Sequence, residues 1–204
     1  MSAAAGRVRG GDGGLLILAP LSIEARAARA GAGSARVRRI GLGPRRAERA
    51  ARLAGEQGGD AVLIAGFCGA LDPELRPGDV VLASELRGPT GTTACADTAI
   101  LAGALRRAGL RVRTGPIASS RRLVLGERRS ALWRTGALAV DMESAWIAPA
   151  AAGRPLVALR TVVDTRRHEL HRPLRTLGGA LLAYRTLRLA CGLAEEWALA
   201  RQES

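Results

Sequence analysis

The chain has 204 residues, 48% of them hydrophobic, and a formal net charge of +13. That is enough apolar material for one domain with a substantial core, and it excludes a wholly disordered chain. Aromatic residues make up only 2%, so Ala, Leu and Val must fill the core, and no apolar run is long enough to predict a transmembrane helix.

Met1–Gly14 is rich in Ala and Gly, carries Arg7 and Arg9, and lacks the apolar stretch of a signal peptide. It is expected to be a flexible leader, with a single domain over 15–204. Leu15–Ala19 reads as a short buried strand, and Pro20–Ala30 as a helix ending at Gly31. Ala35–Ile40 is a strand; Gly41-Leu42-Gly43-Pro44 then turns into a helix running to about Glu56. Ala61–Ala65 is a central strand, followed by a Gly66-Phe67-Cys68-Gly69 turn. Gly78-Asp79 introduces a strand over Val80–Glu85. Thr98–Ala108 is helical, Leu110–Ile117 a strand, Glu127–Thr135 a helix and Ala137–Val140 a strand. Glu143–Ala152 follows as a helix, Pro155–Val163 as a strand, and a long helix runs roughly from Leu177 to Leu199. Helices alternating with apolar strands predict an α/β fold of three layers, with a central mixed or mostly parallel sheet flanked by helices.

All 31 basic residues are arginine, spread along the chain in pairs such as Arg38-Arg39, Arg121-Arg122 and Arg128-Arg129. There is no single basic block and there are few aromatics to stack bases, so a specific nucleic-acid partner is disfavoured. A weak attraction to an anionic membrane surface stays open. Cys68, Cys95 and Cys191 are widely spaced and form no CxxC pair, which fits a reducing cytoplasm. His168 and His171 flank Glu169 one residue short of the helical zinc-protease spacing, so no metal is expected.

Two acidic strand ends stand out. Val140-Asp141-Met142-Glu143 and Arg160-Thr161-Val162-Val163-Asp164 each run from apolar strand into carboxylate. Ligands of open α/β sheets gather at the carboxyl ends of strands, and carboxylates near a core cost free energy unless something uses them. The two strands are expected to lie side by side. Glycines in Gly66–Gly69 would let a ligand approach the backbone, or serve a plain tight turn; the residues alone do not choose. Gly41-Leu42-Gly43 lacks the third glycine of a dinucleotide fingerprint, since position 46 is Arg46. Glu24 by itself reads as an ordinary first-turn glutamate facing the helix dipole.

Together these pieces resemble the purine nucleoside phosphorylase and nucleosidase superfamily. The resemblance runs from Leu15 to Asp164 and rests on Gly66–Gly69 with Pro77-Gly78-Asp79-Val80-Val81, on Val140–Ala145, and on Arg160…Asp164, in family order. It implies that Glu143 binds the ribose hydroxyls, Met142 packs under the sugar, and Asp164 protonates the purine at N7. Glu24 resembles the glutamate that positions an attacking water. Gly66, Phe67, Cys68 and Arg160 are implied at the substrate site. Leu123 and Val124 fall on the base pocket, with Leu123 where an aromatic is usual. No cofactor is implied, with phosphate a possible co-substrate. The phosphate-binding Arg and Ser of family phosphorylases match Ile64 and Phe67 here, which favours water, unless Arg26, Arg45 or Arg121 rebuilds a phosphate site.

Within the superfamily the chain is most similar to the hopanoid-biosynthesis-associated branch, by Gly66–Gly69, its compact length, and the tail Arg167-His168-Glu169-Leu170 through Gly178-Gly179-Ala180 to Tyr184-Arg185. That implies a nucleosidase releasing adenine from adenosylhopane, an adenosine with an apolar 5′ group. Phe67, Trp133, Trp146 and the last helix are candidate walls for that group, although core packing is the default reading of each Trp. Alternatives are a phosphorylase on the same substrate, a methylthioadenosine/S-adenosylhomocysteine or futalosine nucleosidase, and a non-catalytic nucleoside-binding protein. A cytoplasmic homo-oligomer, in peripheral contact with the inner membrane face if the arginines reach it, completes the expectation.

Overall fold

The computed structural model describes residues 14–56, 58–96, 98–165 and 173–200. The leader before Gly14 and the Arg167-His168-Glu169-Leu170 segment with His171 lie outside the described residues.

The strands are β1 (Leu15–Ala19), β2 (Arg36–Arg39), β3 (Ala61–Ala70), β4 (Val80–Gly88), β5 (Gly91–Ala94), β6 (Val112–Ser119), β7 (Ala139–Asp141) and β8 (Leu156–Asp164). The helices are α1 (Ser22–Gly31), α2 (Pro44–Gly55), α3 (Thr98–Arg107), α4 (Glu127–Arg134), α5 (Ser144–Ile147) and α6 (Pro173–Ala200). A 3₁₀ turn, Ala148–Ala151, extends α5 where Pro149 removes a backbone donor.

Period-two alternation makes the layers. Leu15, Ile17 and Ala19 of β1 point to one core with Ala25 and Ala28 of α1, Leu101 and Leu105 of α3, and Leu187 and Cys191 of α6. Leu16 and Leu18 point to the opposite core with Ala47, Ala51 and Ala54 of α2 and Ile147 of α5. The expected α/β architecture, a mixed sheet between helical layers, is the one observed.

The sheet departs from expectation in three places that matter to the site. First, β3 does not stop at Ala65. It pairs β1 in parallel only from Ala61 to Ile64, then continues through Gly66-Phe67-Cys68-Gly69 beside β8. The expected turn is therefore strand, held there because β8 supplies partners as far as Asp164, with a register shift at Cys68/Gly69. Second, β7 and β8 are not neighbours. β3 lies between them, parallel to β8 and antiparallel to β7 at Gly69 and Ala70. Third, β8 also pairs β4, β4 pairs β6, and β6 pairs β7, so β3, β8, β4, β6 and β7 close into a ring. Closure leaves these strands without an open edge. β5, which the sequence does not announce, is a short exposed strand that among the described residues pairs β4 alone.

Candidate active site

One end of this ring carries a cavity. The far end of β3 contributes Phe67, Cys68 and Gly69; the end of β7 contributes Val140 to Glu143; the end of β8 contributes Val163 and Asp164. Leu21 and Glu24 arrive from the start of α1, Leu42 from the turn before α2, and Arg122, Leu123 and Val124 from the loop after β6. Arg129 reaches in from α4.

Glu24 is 2% exposed, and its two oxygens do different things. Oε2 accepts the Leu21 N–H at 2.7 Å, closing the first turn of α1. Oε1 accepts the Phe67 N–H of β3, also at 2.7 Å. The helix-start reading thus describes one oxygen, while the other reaches across to the ring. Burial pushes the Glu24 carboxyl above its ordinary value, against the pull of Arg160 and the two backbone donors. Glu143, 5% exposed, is raised in the same way by burial, with Arg160 opposing and Asp141 adding to the rise. Its Oε1 faces the Gly43 N–H at 3.4 Å, a long contact made possible by the left-handed φ of +88° at Gly43.

Arg160 sits behind these carboxylates, fully buried and outside the cavity lining. Its Nε lies 2.9 Å from Asp141 Oδ2, and its Nε and Nη2 bond the Ser144 hydroxyl at 3.1 and 2.7 Å. Burial works against its charge, yet Asp141, Glu24 and Glu143 together outweigh that and hold its pKa above the usual value. Its Nη1 has no hydrogen-bond partner. Asp141 is clamped from the far side by the Ser119 hydroxyl at 2.6 Å. Gly66 also lies outside the lining; a Cβ there would collide with Arg160 Nη1 and come within 2.6 Å of Glu24 Oε1. The glycine is needed for close packing of these two side chains rather than for a turn.

At the other end, Asp164 is 2% exposed and ion-paired through Oδ2 with Arg129 Nη2. Arg129 is itself 1% exposed. Asp164 is therefore not a carboxyl buried alone: a buried guanidinium offsets the cost of placing it at the end of β8. Gly69 makes room for the pair: a Cβ there would stand 2.7 Å from Arg129 Nη2 and 2.9 Å from Asp164 Oδ1.

Of the residues expected at the site, Glu24, Phe67, Cys68, Leu123, Val124, Met142, Glu143 and Asp164 line one cavity. Leu123 is about half exposed at its mouth, while Val124 is buried. Burial pushes the Cys68 thiol up, so it is an apolar wall and not a nucleophile. Trp146 is buried in α5 under the Arg121 guanidinium, 6.0 Å away, which agrees with its default reading as core, whereas Trp133 is exposed on α4; among the described residues, neither they nor α6 line the cavity. Ile64 is fully buried against the α2 side, so its side chain could not meet a phosphate there. Arg26, Arg45 and Arg121 are also absent from the lining. Arg129 went unrecognised because nothing in the sequence separates it from its neighbour Arg128.

A cavity with buried carboxylates at both ends and an apolar rim is that of an α/β protein built for a small, partly polar ligand. The chain belongs to the phosphorylase superfamily, whose family profile matches residues 22–178. Its fold is similar to that of the 5′-methylthioadenosine/S-adenosyl homocysteine nucleosidase of Helicobacter pylori, with a TM-score of 0.76 at 17% identity over 94% of this chain and 100% of that one. It is similar also to the Neisseria meningitidis 5′-methylthioadenosine/S-adenosylhomocysteine nucleosidase (TM-score 0.75, 19% identity, 89% and 98% covered). A third such structure is the S-adenosylhomocysteine nucleosidase of Streptococcus pyogenes (0.75, 20%, 91% and 98%). No curated protein matches by sequence.

Proposed function

We propose that this protein is a purine nucleosidase that cleaves the N-glycosidic bond of a 5′-substituted adenosine. The observation that carries the reading is the meeting of Glu24, Glu143 and Asp164, from α1, β7 and β8, around one cavity. Three different strand or helix ends converge, which folding alone does not require.

In this reading Glu143 grips the ribose hydroxyls and Met142 packs beneath the ring. Glu24 takes a proton from water as the water oxygen attacks C1′. The C1′–N9 bond breaks and its electrons pass into the purine, which takes a proton at N7 from Asp164, a carboxyl that has bound a proton from solvent before the step. The purine leaves neutral and Asp164 is left as the carboxylate that Arg129 pairs. The carboxylates beside the sugar favour the positive charge that develops on it. Arg160, with Nη1 unpartnered beside Glu24, orients that glutamate and the water. Water is preferred to phosphate because Glu24 stands on the cavity lining as a base for it, while Arg129 is committed to Asp164 and only the exposed Arg122 is left among the lining arginines to meet a phosphate.

The solved neighbours are nucleosidases for methylthioadenosine and S-adenosylhomocysteine, and they support release of adenine from a thio-substituted nucleoside as the second reading. An apolar 5′ group, with adenosylhopane the leading candidate, is favoured by Leu21, Leu42 and Phe67 on the lining, Leu42 being 55% exposed. No helix among the described residues is long and apolar enough to cross a membrane. We place the protein in the cytoplasm as a homo-oligomer.

The deciding experiment is chromatographic measurement of adenine released from adenosylhopane and from methylthioadenosine, with and without inorganic phosphate. Release from adenosylhopane without phosphate is expected. Cleavage of methylthioadenosine alone removes the hopanoid assignment, and a strict phosphate requirement removes hydrolysis. If no nucleoside is cleaved while adenosine still binds, the chain is a binding protein.

A further inference from the structure

The cavity contains a buried cation that the nucleosidase reading does not use. Arg129 stands on α4, a helix whose neighbouring Arg128 is exposed, yet it is 1% exposed and turned inward. Its guanidinium joins three segments. Nη2 pairs with Asp164 at the end of β8. Nε donates to the Val124 carbonyl at 2.9 Å, in the loop that walls the base side. Nη1 faces the Ala70 carbonyl, the last residue of β3, at 3.5 Å.

Arg154 provides the contrast. It also gathers several acceptors, the carbonyls of Gly55, Gly58, Gly59, Ala150 and Ala151, but all are backbone and none borders the cavity. Arg154 ties chain ends together. Arg129 commits one edge to a side chain that lines the cavity, and Gly69 is bare at the point where a Cβ would push the two apart.

We propose that Arg129 is a positioning residue that fixes the Asp164 carboxylate and the Leu123–Val124 wall as one rigid unit, and so sets how the purine is held. The proposal rests on the nucleosidase reading for the identity of the base. A planar guanidinium dictates the direction of each of its hydrogen bonds, whereas an ammonium supplies only charge. Arg129→Lys therefore keeps the electrostatics and removes the geometry. The orientation of Asp164 is lost while its counter-charge remains.

The test is a double-mutant cycle read by calorimetric binding of adenine to wild type, Arg129→Lys, Asp164→Asn and the double variant. Arg129→Lys should weaken adenine binding about tenfold in the native background and less than about twofold in the Asp164→Asn background, because coupled groups are not additive. Arg129→Gln serves as the second variant if Arg129→Lys does not fold, and Arg128→Lys should leave binding unchanged. With a cleavable nucleoside the Arg129→Lys loss should raise KM by about the factor lost in adenine binding and lower kcat by about a further tenfold. An equal loss in both backgrounds, or no loss at all, overturns the proposal, as does absence of adenine binding. Coupled adenine binding in a protein that cleaves no nucleoside leaves this proposal standing and removes the nucleosidase reading.

Discussion

The two ends of the cavity handle buried charge in opposite ways. At the base end one guanidinium, Arg129, meets one carboxylate, Asp164. At the sugar end one guanidinium, Arg160, answers to Asp141, Glu24 and Glu143 together. Among the described residues the first is one cation against one carboxylate; the second sets three carboxylates against one guanidinium, and burial raises both of its glutamates. A fold that minimised cost would not leave carboxylates under-compensated in its interior. The excess sits where, in the proposed reaction, positive charge would develop on the sugar. Among the described residues the Arg129–Asp164 end shows no such excess, and the task proposed for it is alignment.

The largest expected effect comes from removing the shared cation. Arg160→Met leaves three carboxylates buried without their counter-charge, and the fold should lose about 3–5 kcal/mol, the usual cost of orphaning a buried charge. Denaturant titration of the purified variant checks this; a change below about 1 kcal/mol would show that the sugar end is not held by charge. Next, Asp164→Asn should retain the fold yet lower adenine release by about 10²–10⁴, as expected for loss of a general acid. Undiminished turnover would remove Asp164 from the chemistry and leave the base end purely structural.

pH separates the two ends further. Glu24 and Glu143 lie above their ordinary 4.5 in the folded protein, so folding favours their protonated forms. Their contribution to stability is full below pH 4.5 and is lost as pH rises through the raised values. Activity that needs Glu24 as an anion runs the other way, appearing only as pH climbs through the same window. Comparing Glu143→Gln with wild type in unfolding experiments between acid and neutral pH should give a difference that shifts in favour of the variant as pH rises. A pH-independent difference would contradict the burial cost assigned here. The smallest effect is expected at the rim. Leu123→Phe restores an aromatic face at the mouth and should tighten adenine binding by about 0.5–1.5 kcal/mol, readable by calorimetry.

How much of this was visible in the chain follows from which interactions are local. The β1 and β8 runs and the Ala-rich face of α2 announce themselves by period and composition, because an amphipathic element must show its buried side in sequence. The acidic strand ends were legible for the same reason: Glu143 and Asp164 interrupt apolar runs. Glu24 was equivocal, since a first-turn glutamate is common, and only the approach of Phe67 gives its second oxygen a partner. Gly66–Gly69 was misread as a turn because glycine signals turns locally; there it clears space for Arg160 and Arg129, which are 94 and 60 residues away in sequence. Arg129 carried no signal, being one arginine among 31.

The alternation of helix and strand, the two-faced core and the carboxylates that end the strands can all be read along the chain. Each of these follows from side-chain period or from the cost of placing charge beside apolar residues, and those are properties of neighbours in the chain. That β3 runs between β7 and β8, that five strands close into a ring, and which arginine faces which carboxylate emerge from the folded arrangement alone. Those outcomes depend on pairings between distant segments, where ring closure and the desolvation of a guanidinium are settled by the whole fold and not by any stretch of it.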